Sequence, residues 1–213
     1  MTRKDGLLAL LVVVVWGLNF VVIKVGLHNM PPLMLAGLRF VLVAFPALLF
    51  IARPKVPLRL LLGYGLTISF GQFAFLFCAI KFGMPAGLAS LVLQAQAFFT
   101  IILGAGVFGE RLQGKQLAGI TLAVLGVLVL IEASLSGQHI PMIGFALTLA
   151  AAFSWACGNI FNKKIMSHTS RPPVMSLVVW SALIPIIPFM VASMIFEGPA
   201  LMRSKSTRLN SSH

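Results

Sequence analysis

The chain alternates long apolar runs with short connections rich in proline and glycine. A membrane-spanning helix needs about 20 mostly apolar residues, because each residue adds about 1.5 Å to the crossing of a hydrocarbon core about 30 Å thick. Seven runs meet this requirement, at residues 6–27, 33–51, 59–80, 86–108, 115–132, 142–162 and 174–196. The pattern predicts an all-α integral membrane protein, a polytopic bundle in which neighbouring helices are antiparallel.

Composition supports the membrane assignment. Of the 213 residues, 59% are hydrophobic and 9% are charged, whereas soluble domains carry about 25% charged residues. The formal net charge of +12 does not indicate a nucleic-acid partner, because the basic residues lie in short clusters between apolar runs. Cys78 and Cys157 lie inside apolar runs without a C-x-x-C pattern, so we interpret them as small buried residues. No cofactor and no metal site are predicted.

Basic residues gather at alternate ends of the apolar runs. One set of ends carries Arg3, Lys4, Arg53, Lys55, Arg59, Arg111, Lys115, Lys163, Lys164 and Arg171, and the other set carries Lys24 and Lys81. Lys and Arg concentrate in the cytoplasmic loops of membrane proteins. Ten residues against two predict a cytoplasmic N-terminus.

Residues 203–213 are basic and serine-rich, and we interpret them as a non-native or disordered tail, with a natural extracytoplasmic tail as the alternative.

Two stretches of the chain resemble each other at a nearly constant spacing. Trp16 matches Trp155, Asn19 matches Asn159, Lys24 matches Lys164, Met34 matches Met175, and Pro31-Pro32 matches Pro172-Pro173, at offsets of 139 to 141. About five spans fit into this interval, and an odd number makes the second copy enter the membrane from the opposite side, as in many secondary transporters. We therefore predict a first repeat at residues 1–137 and part of an inverted second repeat at residues 138–200. Three helices of an expected ten would then be missing.

Short motifs resemble a known family. They are W-G-L-N-F at residues 16–20, R-F at 39–40 and F-G-E-R-L at 108–112, and they are similar to motifs of the EamA domain of the drug/metabolite transporter superfamily. The resemblance extends from residue 1 to about residue 200. It implies a ten-helix fold and a bacterial inner-membrane exporter of small polar metabolites, with O-acetylserine and cysteine-pathway amino acids as expected substrates. Export of other amino acids or drugs is the alternative.

Polar side chains inside the apolar runs are candidates for the substrate path, because such residues are costly in lipid and usually face the bundle interior. The candidates are Trp16, Asn19, Lys24, Arg39, Gln72, Gln94, Gln96 and Asn159. The first three share one helical stripe with Phe20. Their structural alternative is an interfacial Trp, an interhelical Asn and a snorkelling Lys.

Arg39 could bind a substrate carboxylate through its guanidinium, or snorkel to the nearby membrane surface. Gln94 and Gln96 point about 200° apart in a regular helix, so at least one should bond a neighbouring helix. Glu110 and Arg111 could form an ion pair or a gate at the cytoplasmic boundary, or a solvated loop pair.

Other function classes lack the residues they need. The four acidic residues, Asp5, Glu110, Glu132 and Glu197, all lie near predicted membrane ends, so no carboxylate stands at the midplane for a proton relay. An intramembrane aspartyl protease needs two membrane Asp residues, no H-E-x-x-H motif is present, and the four histidines fall in loops or in the tail. A non-transporting sensor or scaffold stays possible, but no feature favours it.

Overall fold

The computed structural model describes residues 3–135, 141–168 and 174–198. Within these ranges the chain forms seven helices: α1 (Arg3–Asn29), α2 (Pro32–Leu48), α3 (Leu58–Lys81), α4 (Ala86–Phe108), α5 (Gly114–Leu135), α6 (Met142–His168) and α7 (Val174–Phe196). The all-α prediction is confirmed. Five of the helices are long and apolar enough to cross a membrane, and α2 and α5 are shorter apolar helices. The predicted tail at residues 203–213 lies outside the described residues.

Two predicted spans are interrupted rather than continuous. A turn at Gln94 and Ala95 divides α4 into Ala86–Leu93 and Gln96–Phe108. Another turn, ending at Pro185, divides α7 into Val174–Ser181 and Ile186–Phe196. Proline lacks the N–H that a continuing helix needs, which explains the second break.

The middle of α3 winds as a π-helix over Gly65–Gly71. The carbonyl oxygen of Thr67 accepts the N–H of Gln72, five residues on, and also the hydroxyl of Ser154 in α6 at 2.8 Å. The backbones of α3 and α6 approach closely here, since a Cβ on Gly158 would lie 2.7 Å from the Cβ of Ile68. Small residues permit such approach between membrane helices.

Three apolar cores share α3, and one of them joins Leu61 to Ile165 of α6 and Leu177 of α7. A second lies between α1, α3, α4 and α6 and contains Leu76 and Phe145. The third lies between α1, α2, α3 and α7, and there the ring of Phe40 stacks on Phe189 at 5.8 Å between centroids and meets Phe73 edge-on. The alternation of helix directions gives the bundle two ends. We call the end with Glu110 the Glu110 end, and the opposite end the Glu197 end.

The carboxylate of Glu197 caps the start of α2. Leu33 N donates to Oε1 at 2.7 Å, Met34 N donates to Oε2 at 3.1 Å, and the hydroxyl of Ser193 donates to Oε2 at 2.6 Å. The first N–H groups of a helix have no partner within the helix, and the helix dipole favours an anion there. The sequence placed Glu197 only at a membrane end, whereas the structure buries it to 8% exposure.

The other end of α2 is held by α7 as well. Ser176 donates its hydroxyl to the carbonyl of Ala52 at 2.5 Å, and the indole N–H of Trp180 donates to the carbonyl of Ile51 at 3.0 Å. The carbonyls just after a helix, like the last ones within it, lack helical partners. Thus α2 and α7 run antiparallel and are bonded at both ends.

Candidate functional site

A hydrogen-bonded cluster joins the second half of α4 to α6. The side-chain nitrogen of Asn159 donates to Gln96 Oε1 and to Thr100 Oγ1, each at 3.0 Å. The Thr100 hydroxyl in turn donates to the backbone carbonyl of Gln96 at 2.7 Å. Asn159 Oδ1 has no partner among the described residues, so this acceptor remains for a ligand, while Gln96 and Thr100 position the Asn159 side chain.

A cavity of about 420 Å³ begins at this cluster and opens at the Glu110 end. We call it the α4–α6 cavity. Its lining is mostly polar, and consists of Thr100, Ile101, Gly104, Glu110, Arg111, Leu112, Gln113, Gln116, Asn159, Ile160 and Lys163. A pocket of several hundred Å³ with a few polar groups suits a small molecule.

An ion pair stands at the mouth of the cavity. Gly109 ends α4 in the left-handed conformation, with φ of +67°, which glycine adopts without steric cost. The chain therefore turns back, and the carboxylate of Glu110 accepts a hydrogen bond from Lys163 Nζ of α6. The same ammonium lies 4.7 Å from the ring centroid of Phe108. Both charged side chains are about half exposed, so the pair can open at little cost.

The sequence left an ion pair of Glu110 with Arg111, a gate and a solvated loop pair as alternatives; in the structure Glu110 pairs with Lys163 instead. Arg111 lines the same cavity. The mouth thus carries two cationic groups and one anionic group, and the cluster end carries the amide of Asn159 and the hydroxyl of Thr100. This arrangement can hold a small molecule with both a carboxylate and an ammonium group. The described residues contain no group of three or more His, Cys, Asp or Glu placed to hold a metal ion.

The structure separates the predicted site residues. Asn159 and Gln96 meet, whereas Gln94 points outward as an exposed side chain at the α4 turn. This difference confirms the expectation that one of the two glutamines bonds a neighbouring helix. Gln72 is buried at 4% exposure in α3, at the end of the π-helical segment.

The stripe on α1 does not form one site. Trp16 stacks on Trp155 of α6, with ring centroids 5.5 Å apart, and Asn19 is half-buried on the next turn. Lys24 lies two turns further along, in a second cavity at the Glu197 end.

Arg39 lies with its guanidinium carbon 4.5 Å from the ring centroid of Phe73. Its Nη1 is buried and has no hydrogen-bond partner among the described residues. Arg39 is not among the residues that line the α4–α6 cavity.

Sequence reasoning missed several residues of the site, among them Thr100 and Lys163. Each lies four residues after a predicted candidate, Thr100 after Gln96 and Lys163 after Asn159. Residues four apart share one helix face, so this spacing could have identified both.

The chain is similar in sequence to a family of transporters and to proteins named as efflux pumps. Residues 5–132 match the EamA-like transporter family. The chain is 84% identical over 202 residues to a protein of Escherichia coli K12 named "Probable amino-acid metabolite efflux pump", covering 95% of this chain and 68% of that protein. The protein of the same name from Salmonella typhimurium is 84% identical over 93% of this chain and 66% of its own length.

A more distant relative, the "Uncharacterized inner membrane transporter YedA" of Escherichia coli K12, is 30% identical over 71% of this chain and 51% of its own length. No solved structure matches the chain. The chain spans about two thirds of the length of the two most similar of these relatives. On the family match and this degree of identity, the chain belongs to the EamA-like transporter family and is not an enzyme.

Proposed function

We propose that the protein exports small amino-acid metabolites, with O-acetylserine and cysteine as the first substrates to test. The observation that carries the proposal is the α4–α6 cavity, which combines the Asn159 cluster with the charges of Glu110, Arg111 and Lys163. A zwitterionic amino acid needs a cationic partner for its carboxylate and an anionic partner or carbonyl oxygen for its ammonium group. The names of the two most similar relatives agree with this class of substrate.

The proposed orientation places the Glu110 end in the cytoplasm of a bacterial inner membrane. Its support is the charge distribution, since Arg53, Lys55 and Arg59 follow α2 at that end, together with Arg111 and Lys163. An exporter must load from the cytoplasm, and in this orientation the α4–α6 cavity opens there. The relative YedA is named as an inner membrane transporter.

The proposed architecture is a pair of inverted repeats, residues 1–137 and 138–200. Two contacts support it. Trp16 and Trp155, which are equivalent in the repeat, stack on each other, as two residues do when they lie beside a two-fold axis. The helices α2 and α7, also equivalent, pack antiparallel along their length, from Leu33 with Glu197 at one end to Ala52 with Ser176 at the other. Inverted repeats give transporters their two alternating access states.

Transport assays on the full-length protein test the proposal. Everted vesicles should accumulate radiolabelled O-acetylserine or cysteine above the level of vesicles without the protein. We expect Gln96→Ala to lower the rate roughly 2- to 10-fold, because it removes the hydrogen bond that holds Asn159 at the cavity, and one hydrogen bond contributes about 0.5–1.5 kcal/mol. The matched control is Gln94→Ala, which removes the same side chain two positions away on the exposed side of the α4 turn.

Each outcome is decisive for one part of the proposal. If neither metabolite accumulates but other amino acids or drugs do, the substrate assignment is wrong. If nothing is transported and the protein instead binds a partner in detergent, the scaffold alternative replaces export. If Gln94→Ala and Gln96→Ala lower the rate equally, the α4–α6 cavity is not the substrate path.

A further inference from the structure

A second cavity, also about 420 Å³ in volume, lies at the Glu197 end, far from the α4–α6 cavity. It is formed by the last turns of α1 and α3 and by the connection that leads into α4. Its lining consists of Lys24, Leu27, His28, Ile80, Lys81, Gly83, Met84 and Pro85. We call it the Lys24 cavity.

The lining of the Lys24 cavity contains basic side chains and no acidic ones. The basic residues are Lys24, His28 and Lys81. Two carboxylates lie at this end outside the lining: Glu197 is occupied by the amides of Leu33 and Met34, and Glu132 belongs to the last turns of α5. Like charges gathered at a low-dielectric surface repel each other, and an anion between them removes that repulsion.

The position of one ammonium group is fixed. Lys81 Nζ donates a hydrogen bond to the carbonyl of Leu27, in the last turns of α1, at 3.2 Å. An ammonium group has three donors, so two remain for a ligand. Lys24 and Lys81 are also the two basic residues that depart from the charge bias along the chain, and the fold brings both to one cavity.

We propose that the Lys24 cavity binds a singly charged oxyanion. Two sources supply this chemistry at the proposed outer face: the carboxylate of an exported metabolite that is leaving the protein, and the phosphate of an anionic lipid headgroup in the outer leaflet. Leu27, Ile80 and Met84 line the cavity beside the charges and provide apolar contact for the carbon part of either ligand. The metabolite source rests on the proposed export function, and the lipid source does not.

Lysine labelling on the full-length protein tests the site without any need for transport. The protein is placed in nanodiscs of phosphatidylcholine, and the rate at which an amine-reactive reagent modifies each lysine is followed by mass spectrometry. The rate is measured again after addition of O-acetylserine, and again in nanodiscs that contain phosphatidylglycerol. Lys115, at the start of α5 and exposed, is the internal control.

Protection is expected at Lys24 and Lys81 and not at Lys115. Severalfold slower labelling with O-acetylserine assigns the site to the metabolite, and slower labelling only with phosphatidylglycerol assigns it to lipid. The variant Lys81→Gln should abolish the protection of Lys24, whereas Lys115→Gln should leave it unchanged. Equal labelling rates in all three conditions would overturn the proposal. A protein that transports neither metabolite but still shows lipid protection would refute the export assignment alone.

Discussion

The capping of α2 by Glu197 leads to a prediction about stability. The variant Glu197→Ala leaves the amides of Leu33 and Met34 without an acceptor. A buried, unsatisfied N–H costs about 1–3 kcal/mol, so two such groups give about 2–6 kcal/mol. The bond from Met34 is only partly buried, and we therefore expect a loss of about 3 kcal/mol in the free energy of unfolding.

The assay is the loss of folded protein on heating in detergent, followed by size-exclusion chromatography. For a chain of this size, about 3 kcal/mol corresponds to a fall of about 6–12 °C in the midpoint. Glu197→Gln keeps one acceptor oxygen, so about half of this fall is expected. The matched control is Glu110→Ala, which breaks a half-exposed ion pair that contributes about 0–1 kcal/mol.

Two results would contradict this reasoning. If Glu197→Ala and Glu110→Ala lower the midpoint by the same small amount, the cap does not hold α2 to α7. If Glu197→Gln behaves as the unchanged protein, the charge and the second acceptor oxygen of Glu197 contribute nothing to the cap.

Further predictions concern close packing and the repeat. Gly158→Ala should destabilise the fold by about 1–3 kcal/mol, because the added Cβ would clash with Ile68. The control is Gly119→Ala, which has nothing within 4 Å of the added Cβ and should cause no loss of stability in the same melting assay. A double-mutant cycle of Trp16→Ala and Trp155→Ala should give a coupling energy of about 0.5–1.5 kcal/mol for the stacked rings. Additive effects of the two tryptophan variants would contradict the direct contact.

Hydropathy was sufficient to place the helices, because a lipid solvent demands long apolar runs and internally satisfied backbones. It did not predict the turn at Gln94 and Ala95, where neither proline nor glycine marks the break. Nor did it predict the π-helical segment of α3, which coincides with the hydrogen bond from Ser154 of α6 to the Thr67 carbonyl. Both features are tertiary and carry no local signal.

The candidate site was only half predictable for a related reason. A polar side chain in lipid is unfavourable without a hydrogen-bond partner, and this marked Asn159 and Gln96 as candidates. Which partner each one finds depends on how α4 and α6 are rotated about their axes. For Glu197 the sequence suggested the wrong environment. Its place at a membrane end suggested an exposed charge, and only the fold shows that the start of α2 lies within hydrogen-bonding distance.

Because α2 is bonded to α7 at its start, through Glu197, and just beyond its end, through Ser176 and Trp180, these two helices cannot separate at either face without breaking polar bonds. In the proposed export cycle, α2 and α7 therefore stay together and form the fixed pair about which the other helices move. At the Glu110 end, α4 and α6 are joined by the half-exposed ion pair of Glu110 with Lys163, and deeper in the bundle by the hydrogen bonds of Asn159.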